Sequence, residues 1–390
     1  MKRVLSFCVT GILFTSLNLA GQDINEQITT ELQVHFENSD LPGFCVAIVN
    51  ENEVLYQEGF GYSNRETGSP FTSKTVLNIG STSKVVLGAV LVKVIQNKQL
   101  TYTSSINEYL PFKVINPHSK ETPILIKHLA THTSGITDTK NYGKSYVSAD
   151  TKMSQTNVHQ DFEKFIKSHH KMSLEEFLNN ILHPDGEWYK KKNFLKAEPG
   201  QVKEYANINA ALTGLIIEYA TGNSLEASSI EYLFTPLQMS STTWSLESVA
   251  KQQMATRYFP LGQIVPDYSL ITYPDGGLYS SVEDLSRFLQ ELINAFMGKS
   301  EILPPPFSNI MLPGDNDDQR IFIGMNPKSK NIGHSGSDPG VQTDLQFNAD
   351  SKVGRIVVCN VNAEDNEKRY QEYLKIHEIV AKYENLFSKE

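Results

Sequence analysis

Ser81 and Lys84 stand one turn apart in the stretch Asn78-Ile79-Gly80-Ser81-Thr82-Ser83-Lys84, so on a helix their side chains share a face. The run behind them, Val85 to Ile95, is apolar on nearly every face and carries a single charge, Lys93. A helix apolar all round belongs inside a protein. An ammonium taken into such surroundings loses much of its hydration and tends to shed its proton. A neutral lysine beside a hydroxyl is a base beside a nucleophile. The N–H groups at the helix start also favour developing negative charge.

Context, not the short pattern, carries this reading. Ser-x-x-Lys recurs at Ser168 to Lys171 and at Ser248 to Lys251, but neither pair opens an apolar helix, so neither lysine would be desolvated. Tyr-x-Asn occurs at Tyr62 to Asn64, Tyr205 to Asn207 and Tyr383 to Asn385. Only the middle copy follows a Pro199-Gly200 turn and opens an apolar helix, which lets Tyr205 and Asn207 face a cavity from a rigid element. His334-Ser335-Gly336, followed by Asp338-Pro339-Gly340, has the small residues of a strand edge along which a substrate backbone can lie. His169-His170 sits in a polar stretch with no third ligand placed, and is expected to be solvated rather than metal-binding.

The elements that must hold these residues can be read in outline. Gly43 to Val49 and Val54 to Tyr62, joined by Asn50-Glu51-Asn52-Glu53, read as a hairpin. Ile124 to Ala130 reads as a helix stopped at His132-Thr133-Ser134-Gly135. Thr137 to Lys171 is polar and irregular and reads as an exposed insertion or lid. Helices are expected from Met172 to Ile181, with Ser173 and Glu176 as a capping box, from Tyr205 to Tyr219, and from Ser281, with Asp284 completing a second box. Asp275-Gly276-Gly277 reads as a tight turn and Pro304 to Arg320 as a loop. Short strands are expected at Ile321 to Ile323, Gln342 to Phe347 and Gly354 to Val361, and an amphipathic helix from Glu367 to Phe387. Strands at both ends with helices between predict an α+β fold, one sheet built from both chain ends and a helical insertion.

Composition narrows the function. The 390 residues carry a net charge of -9 and are 39% hydrophobic, enough for a large core. With no basic block, a nucleic-acid partner is not expected. Lys2 and Arg3, the apolar stretch Val4 to Leu17 and the small residues up to Gly21 read as a secretory signal over residues 1–21, leaving a mature part over 22–390. The mature part is expected to have no transmembrane segment, and the protein to be periplasmic or extracellular. Cys45 and Cys359 lie in strand-like runs. Buried small hydrophobes are the plainer reading and a disulfide stays open.

The order and spacing of Ser81-x-x-Lys84, Tyr205-x-Asn207 and His334-Ser335-Gly336 resemble the penicillin-recognising serine hydrolases, which include class C β-lactamases, D-alanyl-D-alanine carboxypeptidases and related esterases. Ile126 to Gly135, Phe234 to Met239, Gly276 to Asp284 and Gly333 to Val341 also have counterparts there, so the likeness spans about the whole chain after the signal. The resemblance implies a β-lactamase/transpeptidase-like fold with an antiparallel sheet flanked by helices. Its sheet part would span about 22–78 and 270–390, and its helical part about 79–269. It implies Ser81 as acylated nucleophile, with Lys84 and Tyr205 handling its proton, and Asn207, His334, Ser335 and Gly336 as substrate-binding residues. The N–H groups of Ser81 and Ser337 would form the oxyanion hole. His334 replaces the lysine usual in the third motif, which makes any positive charge there depend on pH. His132, by the same likeness, shapes a turn.

The expected function is a serine hydrolase that cleaves an amide or ester bond through an acyl-enzyme, without cofactor or metal. Its substrate would be a β-lactam, a D-amino-acid peptide or a small ester. The alternative is a penicillin-binding or sensor-like protein that acylates with little turnover.

Overall fold

Gly43–Val49 (β1) is buried along its whole length instead of alternating, which puts it inside a sheet covered on both faces. In the computed structural model, which describes residues 10–149, 157–250, 253–314 and 320–389 with side chains from residue 24 onward, β1 pairs with Val54–Asn64 (β2), and β2 with Ser69–Pro70 (β3). Val76–Asn78 (β4), Tyr146–Ser148 (β5), Tyr268–Leu270 (β6) and Tyr279–Ser281 (β7) lie outside the main sheet. Gly324–Met325 (β8), Asn331–Asp338 (β9), Val341–Asn348 (β10) and Gly354–Cys359 (β11) complete it. Its order is β3-β2-β1-β11-β10-β9-β8, and every pairing is antiparallel. The two chain ends meet at the central β1–β11 pair, as the α+β reading expects.

The helices are Thr10–Glu37 (α1), Ser83–Gln96 (α2), Ile126–Ala130 (α3), Gln160–Lys167 (α4), Leu174–Leu182 (α5), Asn207–Thr221 (α6), Leu225–Ser229 (α7), Val282–Phe296 (α8), Phe307–Met311 (α9) and Glu367–Phe387 (α10). Two cores follow from strand alternation. Phe44, Val46, Ile48 and Val357 face outward and are covered by Ile28 and Leu32 of α1 and by Ile376, Val380 and Tyr383 of α10. Cys45, Ala47, Val49, Ile356 and Val358 face inward, in one core with α2, α6 and α8. The same alternation answers the cysteine question. Cys45 stands opposite Val358 and Cys359 opposite Phe44 on neighbouring strands, yet they belong to opposite cores, and both are buried free thiols.

Two small pairings bring the distant segments of the site together. β4 with β7 sets the approach to Ser81 beside the turn at Asp275. β5 with β6 ties the polar insertion to the segment at Tyr268.

Several local expectations are corrected. Ile321 to Ile323 is no strand. Phe322 adopts φ +52 and all three side chains are buried, so the chain bends inward before β8. Pro304 to Arg320 holds the short helix α9, and residues 315–319 lie outside the described residues. At α8 the Ser281 hydroxyl accepts from Asp284 N at 3.2 Å, but the Asp284 carboxylate turns to Ser241 N and the Thr242 hydroxyl instead of closing the box. The insertion is not merely exposed. Its described part includes β5 and α4, and Val147 and Ile166 are buried.

Candidate active site

Ser81 occupies a single 3-10 turn, Gly80–Thr82, that runs straight into α2. Ile79 N donates to Leu278 O at 2.9 Å, and the Thr343 hydroxyl donates to Ile79 O at 2.8 Å, so the turn is held from both sides. β8 pairs with β9 only at Ile332 and Gly333. Beyond that point β9 runs along the Ser81 turn, in contact so close that a Cβ on Gly336 would sit 2.3 Å from Ile79 O. Gly80, at φ +53, would bring its own Cβ within 3.0 Å of Ser337 N. The backbone of Ser337 thus lies against the residue preceding Ser81.

Lys84 is fully buried. Its Nζ donates to Ser81 Oγ at 2.9 Å, to Asn207 Oδ1 at 2.8 Å and to Asp275 O at 2.5 Å, three oxygens for three donors. The Tyr205 hydroxyl donates to Ser81 Oγ at 2.9 Å. The serine oxygen therefore receives two hydrogen bonds and keeps its own proton free to leave. Tyr205 is 46% exposed, so the pair opens to solvent. The Tyr205 ring lies against His132, with centroids 4.6 Å apart. His132 Nδ1 faces Ala206 N and Asn209 Nδ2. Burial first, and then Lys84, push its pKa down to about 3, so it is a neutral shelf for the tyrosine.

Asn207 opens α6 with its amide fixed at both ends. Oδ1 meets Lys84, and Nδ2 donates to Asp138 Oδ2 at 2.9 Å. His334 projects from β9 with its ring centroid 6.2 Å from that of Tyr205. Burial and then Lys84 pull its pKa down to about 4, so it is neutral at pH 7.

Two further carboxyls lie behind the site. Asp275 is buried, its Oδ1 takes the Tyr142 hydroxyl at 3.1 Å, and burial outweighs attraction to Lys84 to push it up to about 7. Asp338 accepts from Tyr146 and Tyr268 at 2.7 Å each and from Asn78 Nδ2 at 3.0 Å, and burial pushes it up to about 6.

The profile of the Beta-lactamase family matches residues 28–378. The chain belongs to that family. Among proteins similar to this family member is Protein flp of Staphylococcus aureus strain MW2, 23% identical over 363 residues, 88% of this chain. The chain spans 64% of the length of that relative. Two solved structures share the fold. One is an octameric penicillin-binding protein homologue from Pyrococcus abyssi, with TM-score 0.65 and 23% identity over 86% of this chain and 73% of the other. The other is a β-lactamase/D-alanine carboxypeptidase from Pseudomonas syringae, with TM-score 0.63 and 18% identity over 93% and 99%.

In this member of the Beta-lactamase family hydrogen bonds join Ser81, Lys84, Tyr205 and Asn207 in one cluster, His334 lies beside the Tyr205 ring, and Gly336 and Ser337 lie against the Ser81 turn. Ser335, between His334 and Gly336, is exposed, and among the described residues its side chain makes none of these contacts. The other copies of the short patterns do not join. Tyr62 lies on β2, Tyr383 lies on α10 in the outer core with Ile28 and Leu32 of α1, and the Ser168 hydroxyl donates to Phe165 O. Lys251 lies outside the described residues. Sequence reading missed Asp138, Tyr142 and Tyr146, which sit in the stretch taken for a lid. It also missed the carboxyls of Asp275 and Asp338, which stand beside glycine or proline and look like turn residues. Only Asp138, close behind Ser134-Gly135, carried a positional hint.

Among the described residues no helix is long and apolar enough to cross a membrane, and no group of His, Cys, Asp and Glu could hold a metal ion.

Proposed function

We propose that the chain is an exported serine hydrolase that forms an acyl-enzyme on Ser81 and cleaves an ester or amide bond. One observation carries the reading: Lys84 Nζ and the Tyr205 hydroxyl both lie 2.9 Å from Ser81 Oγ, with the lysine buried and the tyrosine open to solvent. Ser81 Oγ attacks the substrate carbonyl, and its proton passes to the Lys84–Tyr205 pair. The pair accepts it in the form that has already given up one proton to solvent, a neutral amine or a phenolate, since an ammonium beside a phenol holds no base to accept it. The oxyanion falls between the N–H groups of Ser81 and Ser337, and each such donor is worth on the order of 3 kcal/mol in the transition state. The proton then reaches the leaving group, the C–O or C–N bond breaks, and water releases the acyl group by the reverse route. Asn207, with a second N–H on Nδ2 unspent, is placed to meet an acyl-side carbonyl.

The substrate class follows from His334. A neutral imidazole supplies a hydrogen bond but no fixed charge, which favours small esters and amides without a carboxylate on the leaving side over β-lactams and peptides that carry one. Export rests on residues 1–21, where Lys2 and Arg3 precede an apolar stretch ending in small residues.

Steady-state hydrolysis of para-nitrophenyl esters, a cephalosporin and a D-alanyl-D-alanine peptide tests the reading. Turnover of at least one ester is expected, with Ser81→Ala lowering it by at least about 1000-fold. A burst without turnover would assign the chain instead to the acylating, non-hydrolysing kind. Full activity in Ser81→Ala would remove the proposed nucleophile altogether.

A further inference from the structure

The stretch 137–149 touches each of the three segments that converge on Ser81. Asp138 meets the start of α6: Oδ2 accepts from Asn207 N at 2.8 Å and from Asn207 Nδ2 at 2.9 Å, and Oδ1 accepts from Ile208 N at 3.1 Å. Tyr142 donates to the carboxyl of Asp275, whose carbonyl receives Lys84. Tyr146 donates to Asp338, the last residue of β9. Pairing of β5 with β6 anchors the far end.

A primary amide has a donor end and an acceptor end, and the same side chain can be turned either way. All three partners of Asp138 are N–H groups, so its carboxyl acts purely as an acceptor. It therefore meets the NH2 end of Asn207 and leaves Oδ1 as the only end that can face Lys84. Two of the three contacts are those of an ordinary helix cap. The third, to Nδ2, adds nothing to the cap. It sets the polarity of the Asn207 amide.

We propose that Asp138 is a positioning residue: it fixes which end of Asn207 faces Lys84, and through that oxygen where the lysine nitrogen sits against Ser81 Oγ. The inference rests on Ser81 being the nucleophile. Turning the amide would set NH2 against the lysine nitrogen, donor against donor, and one of the three oxygens that seat Lys84 would be lost. Tyr142 and Tyr146 hold the same stretch in place, so the polar insertion works as a brace on the site rather than a free lid.

The rate at which a fluorophosphonate labels Ser81 in the full chain, with the labelled residue located by mass spectrometry, reads the nucleophile without requiring the natural substrate. Asp138→Ala, with its fold checked by circular dichroism, should label at least about tenfold more slowly. Asn207→Asp sets two acceptors face to face and should slow labelling about 100-fold. Adding Asp138→Asn restores a donor at position 138 with the polarity reversed, while the carboxylate introduced at position 207 still accepts from Lys84. Asp138→Asn alone also turns an N–H toward Asn207 N and so carries a cap cost of its own, read from that single variant. The pair should label at least about tenfold faster than the two single losses multiplied together predict. A cap with no orienting role predicts losses that add, so a double variant as slow as the two single losses multiplied together overturns the proposal, as does Asp138→Ala labelling at the wild-type rate. Wild-type protein that takes no label at Ser81 overturns the hydrolase reading itself. Label at Ser81 without recovery in the pair overturns only the role of Asp138.

Discussion

A lysine nitrogen with three hydrogens and three oxygen partners has one geometry, and in this chain those partners come from three remote places: the Ser81 hydroxyl, the Asn207 amide and the Asp275 carbonyl. Burial of the nitrogen makes each partner count, because a lost contact cannot be replaced by water. The same burial acts on His334. An imidazole held near 4 is neutral throughout the neutral range, so it cannot supply the pH-gated charge that its position in the third motif suggests. The expected outcome is a ratio of kcat/KM values, for a carboxylate-bearing ester over its neutral analogue, that changes by less than about twofold between roughly pH 5.5 and 8.5. A ratio that falls as pH rises through about 6.5 would show an imidazolium acting on the substrate. Ser81, Lys84, Tyr205, Asn207 and His334 were all legible in the sequence, the first four because the surroundings of their short patterns set them apart from the other copies, and His334 because its pattern occurs once. Asp138, Asp275 and Asp338 were not, because a carboxylate in a polar loop looks the same whether it meets water or a buried N–H.

At the scale of elements, the site depends on how closely β9 can approach the turn before α2. Glycine at position 336 is what permits that approach, since a side chain there would meet Ile79 O, Thr82 N and the Thr343 hydroxyl. Gly336→Ala is therefore expected to push the strand off the turn. It should cost roughly 1–3 kcal/mol of stability and lower kcat/KM by about 100-fold, as loss of one oxyanion donor would. Thermal unfolding and ester hydrolysis read the two effects separately. Unchanged activity would mean that Ser337 N takes no part in catalysis. Most elements could be read from periodicity and caps. Glu367–Phe387 appears as expected, and α6 ends at Gly222 in the left-handed conformation that glycine adopts without strain. Ile321 to Ile323 misled because a buried apolar triplet looks alike in a strand and in an inward bend.

For the whole molecule, the buried carboxyls set how stability responds to pH. Asp275 in the folded chain binds its proton up to about 7, against 3.8 for a free carboxyl. The folded state therefore holds more protons than the unfolded one across that window. Its contribution is fully present below about pH 4 and is lost as pH rises toward 7. Asp275→Asn should remove this slope. In urea titrations the variant should gain on the order of 1–3 kcal/mol relative to wild type between about pH 4.5 and 8. No relative gain would mean that Lys84 compensates the ionised carboxylate fully. By itself the sequence determined the family resemblance, the sheet made from both chain ends, and the residue types of the site. These are carried by local spacing and by which segments can be buried. Only the tertiary structure decided the charge state of His334, the separation of Cys45 from Cys359 and the bracing by residues 137–149, because each depends on what lies across space from a residue, and burial and hydrogen-bond polarity leave no mark on the residue's own neighbours in the chain.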